Sequence, residues 1–116
     1  MTGQDHPESA RQALWLVRKT LDETPAGGTI APGLREVYHH ADLAHSALTT
    51  TGDVRAALED ARTARRTLQA ATIDGARLER WLGTDAGGET VEAFLRQIDE
   101  DLDAAVRALE AEVGSR

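Results

Sequence analysis

Small apolar residues recur through the middle of the chain at the spacing of a single helical face. They follow one another at alternating intervals of four and three residues: Ala57, Ala61, Ala64, Leu68, Ala71, Gly75, Leu78 and Leu82. This heptad spacing puts them on one side of an α-helix, and their small size lets a partner helix approach closely. The alternation keeps its phase through Thr72 and Ile73. It therefore favours one continuous helix over residues 53–82, about 45 Å long at 1.5 Å per residue. The alternative is a break near residues 72–75, because Gly costs about 1 kcal/mol in a helix interior.

The rest of the composition also favours helices. The chain has 116 residues, among them 20 Ala and 13 Leu but only nine Val or Ile. Ala, Leu, Arg and Glu are strong helix formers, whereas strands are enriched in β-branched and aromatic residues. We therefore expect one all-α domain spanning residues 1–116, which is an ordinary size for a single domain.

Apolar periodicity and turn residues predict four helices in this domain. Their approximate ranges are 5–23, 34–49, 53–82 and 89–113. The last range carries its own heptad-spaced row, which is larger and more aliphatic: Val91, Leu95, Ile98, Leu102, Ala105 and Leu109. An alanine-rich row that faces a leucine-rich row across a short turn predicts a long antiparallel hairpin. The first two helices would pack on that hairpin and complete an antiparallel helical bundle.

Several functional classes are disfavoured by features that the sequence lacks. The chain contains no Cys, which excludes a disulfide framework, a thiolate zinc site and a cysteine nucleophile. No apolar run approaches the ~18 residues of a membrane span, and the first residues do not resemble a signal peptide. We therefore expect a cytoplasmic protein with no membrane contact. No phosphate-binding loop or nucleophile elbow is legible, so we expect neither an enzyme nor a cofactor.

Charge is distributed unevenly along the chain. The formal net charge is −7, and residues 85–113 alone contain nine acids against two arginines. This balance disfavours nucleic acid as a partner, because nucleic acid needs basic contacts and aromatic stacking platforms. The acidic cluster of Asp99, Glu100, Asp101 and Asp103 indicates either a protein partner with a basic surface or a solvated face with ion pairs to the preceding helix.

Two tryptophans are candidate anchors for a protein contact. Trp15 lies off the apolar stripe of the first predicted helix, and Trp81 lies near the end of the third. Tryptophan is enriched among the residues that dominate protein interfaces, although either ring could equally be part of an ordinary core. Together with the long row of small residues, these anchors predict that the chain self-associates, most simply as a homodimer.

A metal site is the first alternative, and it rests on the histidines of the second helix. Glu36 and His39 form a Glu-x-x-His pair, with His40 beside them. This pair resembles half of the ligand set of ferritin-like di-iron bundles. Carboxylate and imidazole suit iron, manganese or zinc. The resemblance implies a metal centre that a symmetric dimer would complete, because this chain supplies one such pair where the family needs two.

A phosphotransfer site is the second alternative, and it concerns His45. The run Ala44-His45-Ser46 followed by Leu48 resembles the Ala-His-x-Leu-Lys-Gly motif of histidine phosphotransfer domains. The resemblance implies that His45 would carry the phosphoryl group. The sequence departs from the motif at Leu48 and Thr49, where the family has Lys and Gly.

The main interpretation is therefore a small acidic helical bundle that acts through protein–protein contact, as an adaptor, an inhibitor or an assembly subunit. The metal-binding and phosphotransfer hypotheses remain open beside it. A small ligand in a cavity of the bundle is a further possibility.

Overall fold

A computed structural model describes residues 6–22, 29–82 and 88–114, and these segments are helical apart from short connections. The elements are α1 (His6–Asp22), α2 (Arg35–Ser46), a π-helical turn (Ala47–Thr51), α3 (Val54–Ala70), α4 (Gly75–Leu82) and α5 (Gly88–Gly114). The predicted all-α class is confirmed. The predicted helix limits at residues 5 and 23 lie outside the described residues.

The helices pack against one another around a single apolar core. α1 and α3 each pack against both α2 and α5, and α4 packs on α5. Much of each predicted apolar row faces this core. The helix residues with no exposed surface are Ala10, Leu14, Val17, Leu21, Val37, Ala41, Ala44, Ala57, Ala61, Ala64, Leu78, Ile98, Leu102, Ala105 and Leu109.

The prediction of one continuous helix over residues 53–82 is wrong. α3 ends at Ala70, and Ala71 is extended with ψ 141°. The Asp74 carboxylate then accepts hydrogen bonds from the backbone N–H groups of Ala76 and Arg77, at 3.1 and 3.2 Å. These are the bonds of an N-cap, so Asp74 starts a new helix rather than continuing the old one.

The loop before α2 lies against this break. A Cβ added to Gly33 would lie only 3.2 Å from Cδ1 of Ile73. Thr72 and Ile73 are β-branched and Gly75 is a poor helix former. Leaving residues 71–74 out of a helix therefore costs little free energy. The heptad row is interrupted here, because Gly75 is exposed rather than buried. The long hairpin predicted from that row therefore does not form as one unbroken pair of helices.

The connection between α2 and α3 is short, and two residues, Gly52 and Asp53, set its conformation. Gly52 has a left-handed φ of +70° and ends the π-helical turn, which extends the second predicted helix by two residues beyond Thr49. Asp53 then caps α3, as the sequence predicts, by accepting a 3.0 Å bond from the N–H of Ala56.

Ion pairs show the direction in which α3 runs relative to α5. Arg65 contacts Asp99 and Asp103, whereas Arg62, one turn earlier in α3, contacts Glu110 at 2.8 Å. Moving back along α3 thus corresponds to moving forward along α5. The two helices are antiparallel, with α3 shielding one side of α5.

Candidate functional site

The largest exposed apolar side chain of the described residues is that of Trp15, on the outer side of α1. Its side chain is 46% exposed, while Leu14 beside it has no exposed surface. The ammonium of Lys19, one turn later, lies 5.6 Å from the centre of the indole ring, within the range of a cation–π contact. A partly exposed indole beside a cation is typical of an interface anchor.

Two open concavities flank Trp15. We call the first the Lys19 concavity; it has a volume of about 290 Å³ and is lined by Trp15, Arg18, Lys19, Asp22 and Tyr38. We call the second the His45 concavity; it has a volume of about 260 Å³ and is lined by Glu8, Arg11, Gln12, Trp15 and His45. The indole forms a wall of both, so a molecule that docks on α1 would meet Trp15 in either concavity.

Arg18 links α1 to α2 beside these concavities. Its Nε lies 3.0 Å from Oδ1 of Asp42, and its Nη1 lies 3.1 Å from Nδ1 of His45. A guanidinium group has no acceptor, so it must be the donor to His45. The Nδ1 atom of His45 therefore presents its lone pair to Arg18, and a neutral ring carries its proton on Nε2.

The surroundings of His45 favour that neutral ring. Burial lowers the pKa of His45 below its ordinary value of 6.5, and the positive charges of Arg18 and Arg11 lower it further. The carboxylate of Asp42 opposes this effect only in part. At neutral pH His45 is thus a hydrogen-bonding imidazole rather than a cation.

This arrangement does not favour the phosphotransfer hypothesis. An imidazole attacks phosphorus through a nitrogen lone pair, and the lone pair on Nδ1 of His45 already accepts the hydrogen bond from Arg18. The lysine of the motif is absent, but two other cations, Arg11 and Arg18, lie near His45. Phosphorylation of His45 stays a prediction.

The residues of the metal hypothesis are spread over the outer side of α2. Glu36 and His39 are exposed, and His40 is half-buried with its ring edge against that of His39. The buried Nδ1 of His40 lies 3.8 Å from Asp60 on α3 and makes no hydrogen bond to another described residue. Within the described residues no group of three or more His, Asp or Glu side chains could hold a metal ion.

The predicted acidic cluster on α5 is divided between different surroundings. Asp99 and Asp103 both bind Arg65, with contacts of 3.1 and 2.7 Å, and Asp103 also binds Arg107. The hydrogen bond to Asp99 is the main reason that the pKa of Arg65 is raised. Two of the four predicted docking carboxylates, those of Asp99 and Asp103, therefore form ion pairs within the chain.

Asp101 and Glu100 complete the cluster. Asp101 is half-buried and accepts a 3.1 Å hydrogen bond from Gln97. Burial raises the pKa of Asp101, and the charge of Glu100 adds to that effect. Glu100 is exposed. The four carboxylates thus differ in exposure and in their contacts, and their role in docking a basic partner stays a prediction.

Trp81 is placed very differently from Trp15. It is only 9% exposed, its Nε1–H donates a 2.6 Å bond to the carbonyl of Thr29, and its ring meets that of Phe94 edge to face. These contacts fasten α4 to α5 and to the loop before α2. Trp81 stabilises the fold and presents little surface to a partner.

Sequence reasoning did not find the polar residues that surround Trp15, namely Arg11, Arg18, Lys19, Asp22, Tyr38 and Asp42. Only the Trp15–Lys19 spacing of four residues carried a local signal, because residues four apart are neighbours on a helix. The contacts from Arg18 to Asp42 and His45 join different helices, and no local pattern predicts them.

The chain matches no protein-family model, no curated protein and no solved structure. None of its described helices combines the length and the apolar character that crossing a bilayer requires.

Proposed function

We propose that this chain is a protein-interaction module of the helical-bundle type, and that a second copy of itself docks on the surface around Trp15. We define the Trp15 face as the residues that line the two concavities together with Asp42. The observation that carries the proposal is the exposure of Trp15, at 46%, between two open concavities.

Charge supports a second copy as the occupant. The chain carries −7 overall, so two copies repel each other across most of their surfaces. The Trp15 face is balanced, because its cations Arg11, Arg18 and Lys19 match its anions Glu8, Asp22 and Asp42 in number. A face of balanced charge around an apolar anchor suits an isologous contact, because the same patch can meet itself without net repulsion.

The small-residue row contributes nothing directly to this contact. Its Ala57, Ala61 and Ala64 are buried within one copy. The predicted homodimer therefore rests on Trp15 rather than on the row of small residues that also suggested it. We retain the predicted role of an adaptor, an inhibitor or an assembly subunit, in which the paired chain contacts further proteins.

Sedimentation equilibrium over a wide range of protein concentration tests the proposal. We expect a monomer–dimer equilibrium that added salt strengthens, because salt screens the repulsion between two acidic copies. Trp15→Ala should raise the dissociation constant by about 30-fold or more, which corresponds to the ~2 kcal/mol typical of an interface hot spot.

Leu43→Ala is the matched control. Leu43 is 40% exposed, close to the value for Trp15, but it lines neither concavity. This variant should dimerise like the wild type. A wild-type chain that stays monomeric throughout, or equal weakening by Trp15→Ala and Leu43→Ala, would overturn the proposal.

A further inference from the structure

The His45 concavity collects hydrogen-bond donors from two helices. His45 contributes Nε2–H, because its Nδ1 accepts the bond from Arg18. Arg11 and Gln12, which line the same concavity, contribute guanidinium and amide N–H groups. The lining also contains the Glu8 carboxylate, which is ion-paired with Nη2 of Arg11. A bound anion would therefore use the remaining N–H groups of the Arg11 guanidinium.

A donor-rich concavity is completed by an acceptor ligand. Carboxylate and phosphate oxygens accept several N–H bonds at once, and bonds from a guanidinium to such groups are among the stronger hydrogen bonds in proteins. The indole of Trp15, which closes one side, offers an apolar surface against which a flat group can pack.

The size of the concavity limits the ligand further. At about 260 Å³ it lies just below the ~300 Å³ lower end of typical ligand pockets. A ligand with one ring and one anionic group is therefore a better match than a nucleotide or a longer cofactor.

We propose that the His45 concavity is a binding site for a small oxyanion attached to a flat apolar group, such as an aromatic carboxylate or a phosphate monoester. The anionic group lies against Arg11, Gln12 and Nε2 of His45, and the flat group lies on Trp15. All of these residues belong to one copy of the chain and also lie in the Trp15 face, so the ligand binds the monomer and competes with a second copy.

Fluorescence titration tests this site. The chain has two tryptophans, so Trp81→Phe leaves Trp15 as the only indole reporter. The probes are benzoate, phenyl phosphate and, as an uncharged match, benzyl alcohol. We expect saturable changes in Trp15 emission with benzoate or phenyl phosphate and none with benzyl alcohol. Comparison of the two anions shows whether carboxylate or phosphate is preferred.

Two further variants locate the binding. Arg11→Gln should weaken the binding of the preferred anion by about tenfold or more, the effect of losing a charged hydrogen bond. Arg55→Gln, which removes an exposed arginine of α3 outside both concavities, should leave it unchanged. If Trp81→Phe does not fold, the Cε1 proton resonance of His45 in the wild-type chain gives the same titration.

Equal responses to benzoate and benzyl alcohol, no saturation with either anion, or unchanged affinity in Arg11→Gln would each overturn the site. Titration at a protein concentration well below the dimer dissociation constant keeps these outcomes separate from those of the dimer experiment. A chain that stays monomeric but binds benzoate through Arg11 would refute the dimer and support the site.

Discussion

Arg18 donates a hydrogen bond to Nδ1 of His45 across 3.1 Å, which places a permanent cation against a side chain that could itself become one. The contact is compatible only with an unprotonated Nδ1, since a guanidinium group cannot accept a hydrogen bond. Protonation of His45 would turn this acceptor into a donor and set two positive charges against each other. The packing of α1 on α2 is therefore coupled to the protonation of one imidazole.

This coupling predicts that the protein loses stability in mild acid. The folded chain holds the pKa of His45 below 6.5, so the unfolded chain binds the proton first as the pH falls. His45 thus leaves the free energy of unfolding unchanged well above pH 6.5, and lowers it as the pH falls through 6.5 toward the folded-state pKa. Its contribution to the slope cannot exceed about 1.4 kcal/mol per pH unit.

Urea unfolding at a series of pH values measures this effect. His45→Gln should flatten the slope below pH 6.5, because it removes the titrating group. His39→Gln, at an exposed position of the same helix, should keep the wild-type slope. Parallel curves for the wild type and His45→Gln would contradict the prediction.

A second prediction compares two arginines of α3. Arg65 is about one-third exposed and binds two carboxylates of α5, whereas Arg62 is 43% exposed and, among the described residues, is ion-paired with Glu110 alone. Arg65→Met should lower the free energy of unfolding by about 1–2 kcal/mol, since it leaves Asp99 without its partner in a half-buried position.

Arg62→Met is the control for that measurement. An exposed single ion pair contributes at most about 1 kcal/mol and often much less, so this variant should unfold close to the wild type in urea. If Arg62→Met destabilised the protein as much as Arg65→Met, the contact of Arg65 with two carboxylates would contribute no more to stability than a single ion pair.

A third prediction concerns the contact between the loop before α2 and the break after α3. Gly33 and Gly52 have left-handed φ values of +87° and +70°, so alanine at either position costs about 1–2 kcal/mol of backbone strain. Only at Gly33 would the added Cβ also crowd a neighbour, the Cδ1 of Ile73. Gly33→Ala should therefore destabilise the protein by about 1 kcal/mol more than Gly52→Ala.

A double-mutant cycle isolates this crowding. Ile73→Val removes the Cδ1 atom, so Gly33→Ala should lose its excess cost when both changes are combined. Thermal or urea unfolding of the four chains gives the coupling energy. Additive effects of Gly33→Ala and Ile73→Val would show that the two residues do not press on each other.

The buried rows of this fold were predictable because they repeat. Residues such as Leu14, Ala61 and Ile98 lie on periodic stripes, and periodicity is a local property of the sequence. A break near residues 72–75 was the less favoured alternative, because the heptad phase fits an unbroken helix equally well. The signals were present in Asp74 as a cap and in the β-branched Thr72 and Ile73, but the contact with Gly33 is made by a distant part of the chain.

The candidate surface was predictable only in part. Spacing marked both tryptophans as anchors, yet it could not show that Trp81 reaches the carbonyl of Thr29 while Trp15 faces solvent. The same limit applies to Asp99, whose charge is satisfied by Arg65 from another helix. Packing between helices determines which polar side chains contact each other. Sequence spacing predicts only the neighbours within a single helix.

The non-helical residues 71–74 also divide the chain's backbone hydrogen bonds into separate ladders. Fraying of α4 stops at this segment, because no helical N–H···O bond crosses it into α3. Through Trp81, α4 is held instead to Thr29 and Phe94. The amide protons of α4 should therefore exchange with solvent together with those of residues 29–34, while the amides of α3 keep their protection until the chain opens as a whole.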